Sequence, residues 1–493
     1  MQQAATVQAI AAGASLAAGT KGKSHKSVYF LLGLAILVGA YFIPATGGLS
    51  PEAIRTLAVL LTTVLWWVTE TFPIPVTALL VPVMVHALGI IPLGAAMTES
   101  FGNSLIPFMV GVLGLAAALT ACGLGKRISS YLLALVGPNT TVVVGVYLWL
   151  SFVISMFIDD IAVVAMMLPL VLGLLKTVDA RPGESNFGRA MMMAIMFGAL
   201  LGGACTPAGI SANIITLAFL AKNAHMGIGF LSWTAIATPP FVAMAALTWW
   251  LILRIFPPEM KELPLGRDTL RQELKMMGPM TVQEKTTAVV FVTAIVLWLT
   301  SDLTKLPIAF VSLLILGGIS FPGVGVFTNW RDLNKGIEWG AVMLVVGGFI
   351  VGIAAAKSGL AAWVVREFLY PMASLPLAVQ PAAITLLVAV DSLGLSSMGS
   401  TASVNVPFII AYAQQNGLPV QALTMSAALA SSVHFILVTQ CPATVLPFAY
   451  GYFSFKDLAK LGIVVTLIGA VFISVGMWIA GMPAGTLLTA GPG

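Results

Sequence analysis

The stretch Ser155-Met156-Phe157-Ile158-Asp159-Asp160-Ile161-Ala162, continuing Val163-Val164-Ala165-Met166-Met167-Leu168-Pro169-Leu170, sets two adjacent carboxylates in the middle of a run otherwise apolar enough for a membrane. An ionised Asp in hydrocarbon is costly, so a pair at that depth faces protein, water or an ion rather than lipid. The alternative is a short loop that reaches the aqueous interface, where carboxylates cost little. Both readings make Asp159-Asp160 a break between two helical arms, and they differ in how deep the break lies.

Of 493 residues, 59% are hydrophobic and 8% charged, against about 25% charged in an ordinary soluble domain. That is the composition of a polytopic membrane protein. A span takes about 20 apolar residues, so this length with short polar gaps has room for roughly ten to a dozen. Cys122, Cys205 and Cys441 lie in apolar surroundings without metal-ligand spacing, and no disulfide framework is indicated. The net charge of +5 is read first as topology, because basic residues collect in cytoplasmic loops. Met1 to Ala18 lacks a basic start and precedes Lys21, Lys23 and Lys26, so residues 1–27 read as a cytoplasmic tail rather than a cleaved signal peptide. No nucleophile–base pair, phosphate loop or metal cluster stands out, and no nucleotide domain for an ATP-driven pump. Neither an enzyme nor a nucleic-acid partner is expected.

A first span runs from about Tyr29 to Ile43 and a second from about Ile54 to Val68. In Trp66-Trp67-Val68-Thr69-Glu70-Thr71-Phe72-Pro73-Ile74-Pro75-Val76-Thr77, two prolines force an extended turn and a new helix start. Glu70 reads as an interfacial helix-end charge. A helix from about Pro107 to Cys122 stops at Gly123-Leu124-Gly125, followed by Lys126 and Arg127. Further on, Gly202-Gly203-Ala204-Cys205-Thr206-Pro207-Ala208-Gly209-Ile210-Ser211-Ala212-Asn213 predicts unwound backbone inside a span. Such backbone is tolerated only where protein encloses it or it lines a cavity; the alternative is a proline kink with tight helix packing. Residues from about Pro257 to Lys285 alternate basic and acidic side chains and read as an amphipathic surface helix joining two halves.

The second half repeats the punctuation of the first. Pro307 to Gly347 is 40 positions and Pro73 to Gly111 is 38; Gly111 to Gly123 and Gly347 to Gly359 are both 12, each ending in Gly-Leu. Asp159 to Pro169 and Ser397 to Pro407 are both 10. Most Lys and Arg fall on one side if the N-terminus is cytoplasmic, which brings the arms around Asp159 in from the cytoplasm and those around Ser397 from outside. The expected fold is therefore an all-α polytopic membrane protein with about 11 transmembrane helices plus two re-entrant hairpins in two inverted repeats. The repeats are residues 28–256 and 285–493, joined by a cytoplasmic linker at 257–284, in the cell inner (plasma) membrane.

The motif Trp-Trp-x-Thr-Glu-x-x-Pro-Ile-Pro-Val-Thr-Ala-Leu-Leu from Trp66 to Leu80, and the linker from Glu273 to Trp298, resemble the divalent anion/sodium symporter family, carriers of di- and tricarboxylates and sulfate. The resemblance covers nearly the whole chain. It implies a homodimer, an elevator-like motion and a Ser-Asn-Thr motif at each hairpin tip that contacts substrate and sodium. Here the tips read Asp159-Asp160-Ile161 and Ser397-Met398-Gly399, and only Ser397 matches. The family's Thr-Pro-x-Gly-Thr-Pro-x-Asn segment falls on Thr206 to Asn213, keeping Thr206, Pro207, Gly209 and Asn213; its second copy falls on Cys441-Pro442-Ala443-Thr444, keeping only the proline.

An ionised Asp offers acceptors only, and against an anion it is repulsive. Three resolutions stand open. Asp159 or Asp160 ligates Na+ together with carbonyls around Gly202, Thr206 and Asn213; or one of the pair holds a proton; or the substrate is not a dicarboxylate. The second tip is rich in small hydroxyls, and Ser397, Gly399, Ser400 and Thr401, with Asn213, Thr206 and Thr444, are the candidates for holding an oxyanion at a helix start. The alternative for these small residues is close helix packing. His434 is a candidate proton carrier. The expected function is secondary active transport of a small divalent anion (dicarboxylate, tricarboxylate, sulfate or sulfonate) coupled to Na+ or H+, with no further cofactor. The alternatives are a cation/proton antiporter of the same superfamily and an anion exchanger.

Overall fold

The computed structural model describes residues 23–45, 48–125, 127–128, 131, 137–263, 276–337, 339–393, 395, 397–433 and 435–482. Among them no strand forms. The first half carries α1 (Lys23–Gly39), α2 (Pro51–Val68), α3 (Ile74–Ala87), α4 (Leu93–Phe101), α5 (Leu105–Cys122), α6 (Thr140–Ser155), α7 (Asp160–Thr177), α8 (Asn186–Gly203), α9 (Ser211–Phe219) and α10 (Phe230–Ile255). The second carries α11 (Val282–Leu299), α12 (Ile308–Ile319), α13 (Trp330–Gly336), α14 (Trp339–Lys357), α15 (Leu360–Val364), α16 (Gln380–Asp391), α17 (Met398–Gln415), α18 (Val420–Ala430), α19 (Pro442–Phe448) and α20 (Phe455–Ile479). Of the amphipathic helix expected from about Pro257 to Lys285, residues 257–263 and 277–281 are not helical and α11 begins at Val282, while 264–275, like the His434 candidate, lie outside the described residues.

Five of these helices are long and apolar enough to cross a membrane, or up to seven if each of two bent pairs is one span, and six more apolar helices are shorter. Their outer faces are greasy. On α20, Leu467, Val471, Val475 and Ile479 recur every four residues and are all exposed, a stripe that suits lipid and that a soluble surface would not carry. By contrast α8 is buried along nearly its whole length.

Local chemistry explains where the helices start. Ser50 caps α2 ahead of Pro51 and Glu52, Thr281 and Glu284 form a reciprocal capping box on α11, and Ser454 with Asp457 does the same for α20. Gly123 and Gly359, the matched Gly-Leu stops, both adopt the left-handed conformation, each at φ 80°. Few residues other than glycine reach it cheaply.

The spacing pattern shared by the two halves reappears as packing. α3 lies on α14 and α12 lies on α5. A side chain at Gly347 would strike the backbone of Ala78, and one at Gly111 the backbone of Ser312. Ala78 and Ser312 each stand five positions after their prolines, Pro73 and Pro307. Likewise α9 packs on α17, and α19 packs on α7. Four breaks interrupt the helices, at 156–159, 204–210, 392–397 and 431–441. The first sits where the Asp pair predicted it.

The segment after α10 anchors two of the helices that run to these breaks. Thr140, at the start of α6, donates its N–H to the Lys261 carbonyl and its hydroxyl to that of Met260. The Glu259 carboxylate accepts the N–H groups of Asn186 and Phe187 at the start of α8. Partial burial pushes the Glu259 carboxyl up, but those N–H groups and the Ser185 hydroxyl outweigh it, and the net position is below the usual glutamate range. A depressed carboxyl stabilises above its unfolded value and loses that contribution as pH falls through its folded value. Glu259→Gln is therefore expected to lower stability by about 1 kcal/mol near neutral pH, after discounting for solvent screening. The gap from wild type should close on acidification below the normal glutamate range, as read by thermal unfolding of the purified protein in detergent.

Candidate functional site

A cavity of about 300 Å³ lies where the breaks meet. Its walls are Glu70 and Pro73 to Pro75 from the Trp-Trp turn, Asp159 to Ile161 from the first tip, Ile210 and Ser211 after the break in the α8–α9 span, Gly340 and Leu344 from α14, Ser397 and Met398 from the second tip, and Cys441 and Pro442. Six helices begin there: α3, α7 and α9 from the first half, and α14, α17 and α19 from the second. Helix starts carry N–H groups without intrahelical partners and a partial positive charge, though here Pro75 in α3 and Pro442 in α19 have no N–H and the Ile161 N–H of α7 is taken by the Asp pair. Three carboxylates, those of Glu70, Asp159 and Asp160, face the same space, and among the described lining residues none is Lys, Arg or His.

The carboxylates are held by the helix starts themselves. Asp159 caps α7, accepting the Ile161 N–H at 3.1 Å, and an Asp160 oxygen accepts the same N–H at 2.9 Å. Asp160 is only 2% exposed. Its second oxygen accepts the Cys441 thiol at 3.5 Å, a contact spanning 281 positions of chain. Glu70 occupies a left-handed backbone position, φ 45°, with its carbonyl accepting the Lys26 ammonium at 2.7 Å. Strain at a cavity wall in a residue other than glycine is a mark of function.

Of the residues anticipated for substrate, Ser397 lines the cavity. The others sit just behind the wall. Ser400 and Thr401 turn their hydroxyls back to the Ser397 carbonyl, at 2.8 and 3.0 Å. Gly399 lets α17 approach Ser211 and Leu344. Thr444 donates to the carbonyls of Val438 and Cys441 and fixes the second broken span. Thr206 donates to the Met156 carbonyl, tying the α8–α9 break to the first tip. Gly202 serves close packing, since a side chain there would fall on the backbone of Phe152 in α6.

Asn213 is fully buried and donates to the carbonyls of Gly203 at 3.0 Å and Thr206 at 2.7 Å, while its side-chain oxygen has no hydrogen-bond partner. The Ser155 hydroxyl oxygen, beside Gly203, is likewise buried without a partner. These orphaned oxygens, like the carboxylates of Asp159 and Asp160, are hard donors of the kind that suits Na+ better than a soft metal. Sequence reasoning passed over Ser155, Ser211 and Cys441 and read Glu70 only as an interfacial charge. Nothing local marks the first three; they matter because the breaks converge.

The family described as the sodium:sulfate symporter transmembrane region matches residues 24–483. This chain belongs to that family. Sodium:sulfate symporters are membrane transporters, so the chain is a transporter and not an enzyme, and the resemblance drawn from the Trp66 to Leu80 motif holds. The sodium-dependent dicarboxylate transporter SdcS of Staphylococcus saprophyticus is 27% identical over 471 residues, covering 90% of this chain and 89% of that one. A protein of the same name from Staphylococcus aureus is 26% identical over 447 residues, covering 86% and 85%. The crystal structure of the Alcanivorax borkumensis YdaH transporter shares the fold, with a TM-score of 0.53 at 16% identity over 95% of this chain and 99% of that one.

Within this symporter framework the tip ahead of α17 should differ in reach from the first turn of the helix. A cysteine placed at Ser397 should take up a small methanethiosulfonate reagent in the folded protein, over and above the wild-type background. One at Thr401, which is fully buried, should not. Equal labelling of both, counted by intact-protein mass spectrometry, would displace the cavity wall from Ser397.

Proposed function

We propose that this symporter is a Na+-coupled secondary carrier of small divalent organic anions, dicarboxylates first, with the substrate seated in the cavity between the two tips. The observation that carries the reading is the start of six helices, three from each half, around one cavity. Their N–H groups bind an oxyanion without Lys or Arg, and their partial charges offset the three carboxylates. Asp159, Asp160, Asn213 and Ser155 supply the oxygens for the coupling cation. The printed function of SdcS supports dicarboxylate and sodium.

In this reading residues 28–256 and 285–493 are inverted repeats joined by 257–284. The N-terminus is cytoplasmic, the membrane is the plasma membrane, and the carrier is a homodimer that exposes its site alternately to the two sides. The reciprocal packing of α3 on α14 and α12 on α5, with Gly347 against Ala78 and Gly111 against Ser312, supports the repeats. A second reading, exchange of cations for protons, draws on the three carboxylates and the lack of a cationic side chain among the described lining residues.

Proteoliposomes separate the two. An imposed Na+ gradient is expected to drive uptake of labelled succinate, with citrate and sulfate as comparisons and an H+ gradient tested alone. Asp160→Asn should lower Na+-driven uptake at least about tenfold, which is about 1.4 kcal/mol, with Asp159→Asn in the same direction and both proteins folded by size-exclusion profile. Uptake that follows only the H+ gradient would move the coupling to protons. No anion uptake, with Na+-driven proton movement instead, would establish the antiporter.

A further inference from the structure

Cys441 and Asp160 form a contact that neither helix needs for its own stability. Asp160 heads α7, and Cys441 precedes α19, so the thiol links the first tip to the second broken span. Both residues are 2% exposed and both line the cavity. The frame behind the thiol is fixed from two sides. Upstream, the Gln440 carboxamide accepts the N–H groups of Ile436 and Leu437 at 2.9 and 2.7 Å and donates to the Ser392 hydroxyl at 2.8 Å. Downstream, the Thr444 hydroxyl closes on the Cys441 carbonyl at 2.6 Å. The backbone of Cys441 is extended, φ −147° and ψ 137°, and leads into Pro442. The sulfur is thus set in place by rigid surroundings, and it meets one particular oxygen of one particular carboxylate.

From this geometry we infer that Cys441 is a positioning residue for the coupling cation: its thiol orients the Asp160 carboxylate so that the other carboxylate oxygen and Asp159 meet Na+. This rests on the assignment of Asp160 to the ion site made above. The choice of a thiol has chemical sense. A carboxylate that must take up and release a cation in each cycle is served by a donor that orients without competing strongly, and S–H is a weak donor. Partners behind an ion ligand commonly govern affinity by about 10- to 100-fold when they are lost.

The test reads Na+ binding directly on the purified protein, without a transported substrate. Thermal unfolding is followed against NaCl, with choline chloride holding ionic strength, in wild type, Cys441→Ala, Cys441→Ser, Asp160→Asn and the Asp160→Asn, Cys441→Ala double variant. Na+ is expected to stabilise wild type. Its half-saturating concentration should rise about tenfold in Cys441→Ala and stay within about twofold in Cys441→Ser, whose hydroxyl also donates. The Na+ response should vanish in Asp160→Asn, and Cys441→Ala should add nothing to that variant's Na+ response. A role in packing alone would lower the unfolding temperature of Cys441→Ala equally in both salts with the Na+ midpoint unmoved, and that result overturns the proposal. So does the absence of any Na+ response in wild type. A wild-type protein that binds Na+ in this way yet carries no dicarboxylate would unseat the substrate assignment and leave the Cys441–Asp160 pair standing.

Discussion

Backbone that is not helical has no place in hydrocarbon, because each unpaired N–H or C=O group there costs several kcal/mol. Every other feature of this structure follows from how the four interrupted segments meet that constraint. They are turned toward one another, so that the peptide groups left open by one break are enclosed by the residues of the next. Thr206 caps the carbonyl at Met156, Asn213 ties the carbonyls of Gly203 and Thr206, and Gln440 satisfies its own loop and Ser392. Helix starts from both halves then surround a space lined by polar and charged groups.

The Asp pair is stable at this depth for the same reason. A carboxylate at a helix start exchanges water for N–H groups and for the end of the dipole, and both Asp159 and Asp160 use the Ile161 N–H. On the proposed reading, acidic side chains are set against the partial charge of the helix starts, and a visiting anion meets N–H groups where a soluble binding protein would offer Arg. In the proposed mechanism a cation tips that balance, which makes the ion and the substrate depend on one another.

Much of this was legible in the chain. The Gly-Leu stops, the proline spacings and the apolar arms around Asp159 and Ser397 are local signals, and the helix ends fall close to them. The Trp66 to Leu80 motif gave the family. The composition of the cavity wall was less legible, because a wall is made by contacts between residues hundreds of positions apart. Ser397 could be placed by its tip, but Ser400 and Thr401 carry the same chemistry and spend it on the Ser397 carbonyl. Helical periodicity alone does not separate these roles. Cys441 looked like a lost threonine-proline match until Asp160 stood 3.5 Å from its sulfur.

The glycines on α8 set a different condition. Side chains at Gly198 and Gly202 would fall on the backbone of Leu148 and Phe152, so α8 and α6 are pressed together with no slack, and α7 packs on both. Asp159 and Asp160 at the start of α7 and Ser155 on α6 belong to this closely packed group, whereas Asn213 lies beyond the break on α9. In the proposed alternating carrier, a shell that does not loosen would offer its guests nearly the same affinity whichever side it faces. How far a coupled carrier can concentrate its cargo is set by its coupling stoichiometry together with the ion concentrations and voltage across the membrane, and the stiffness of the shell bears only on how fast that limit is reached.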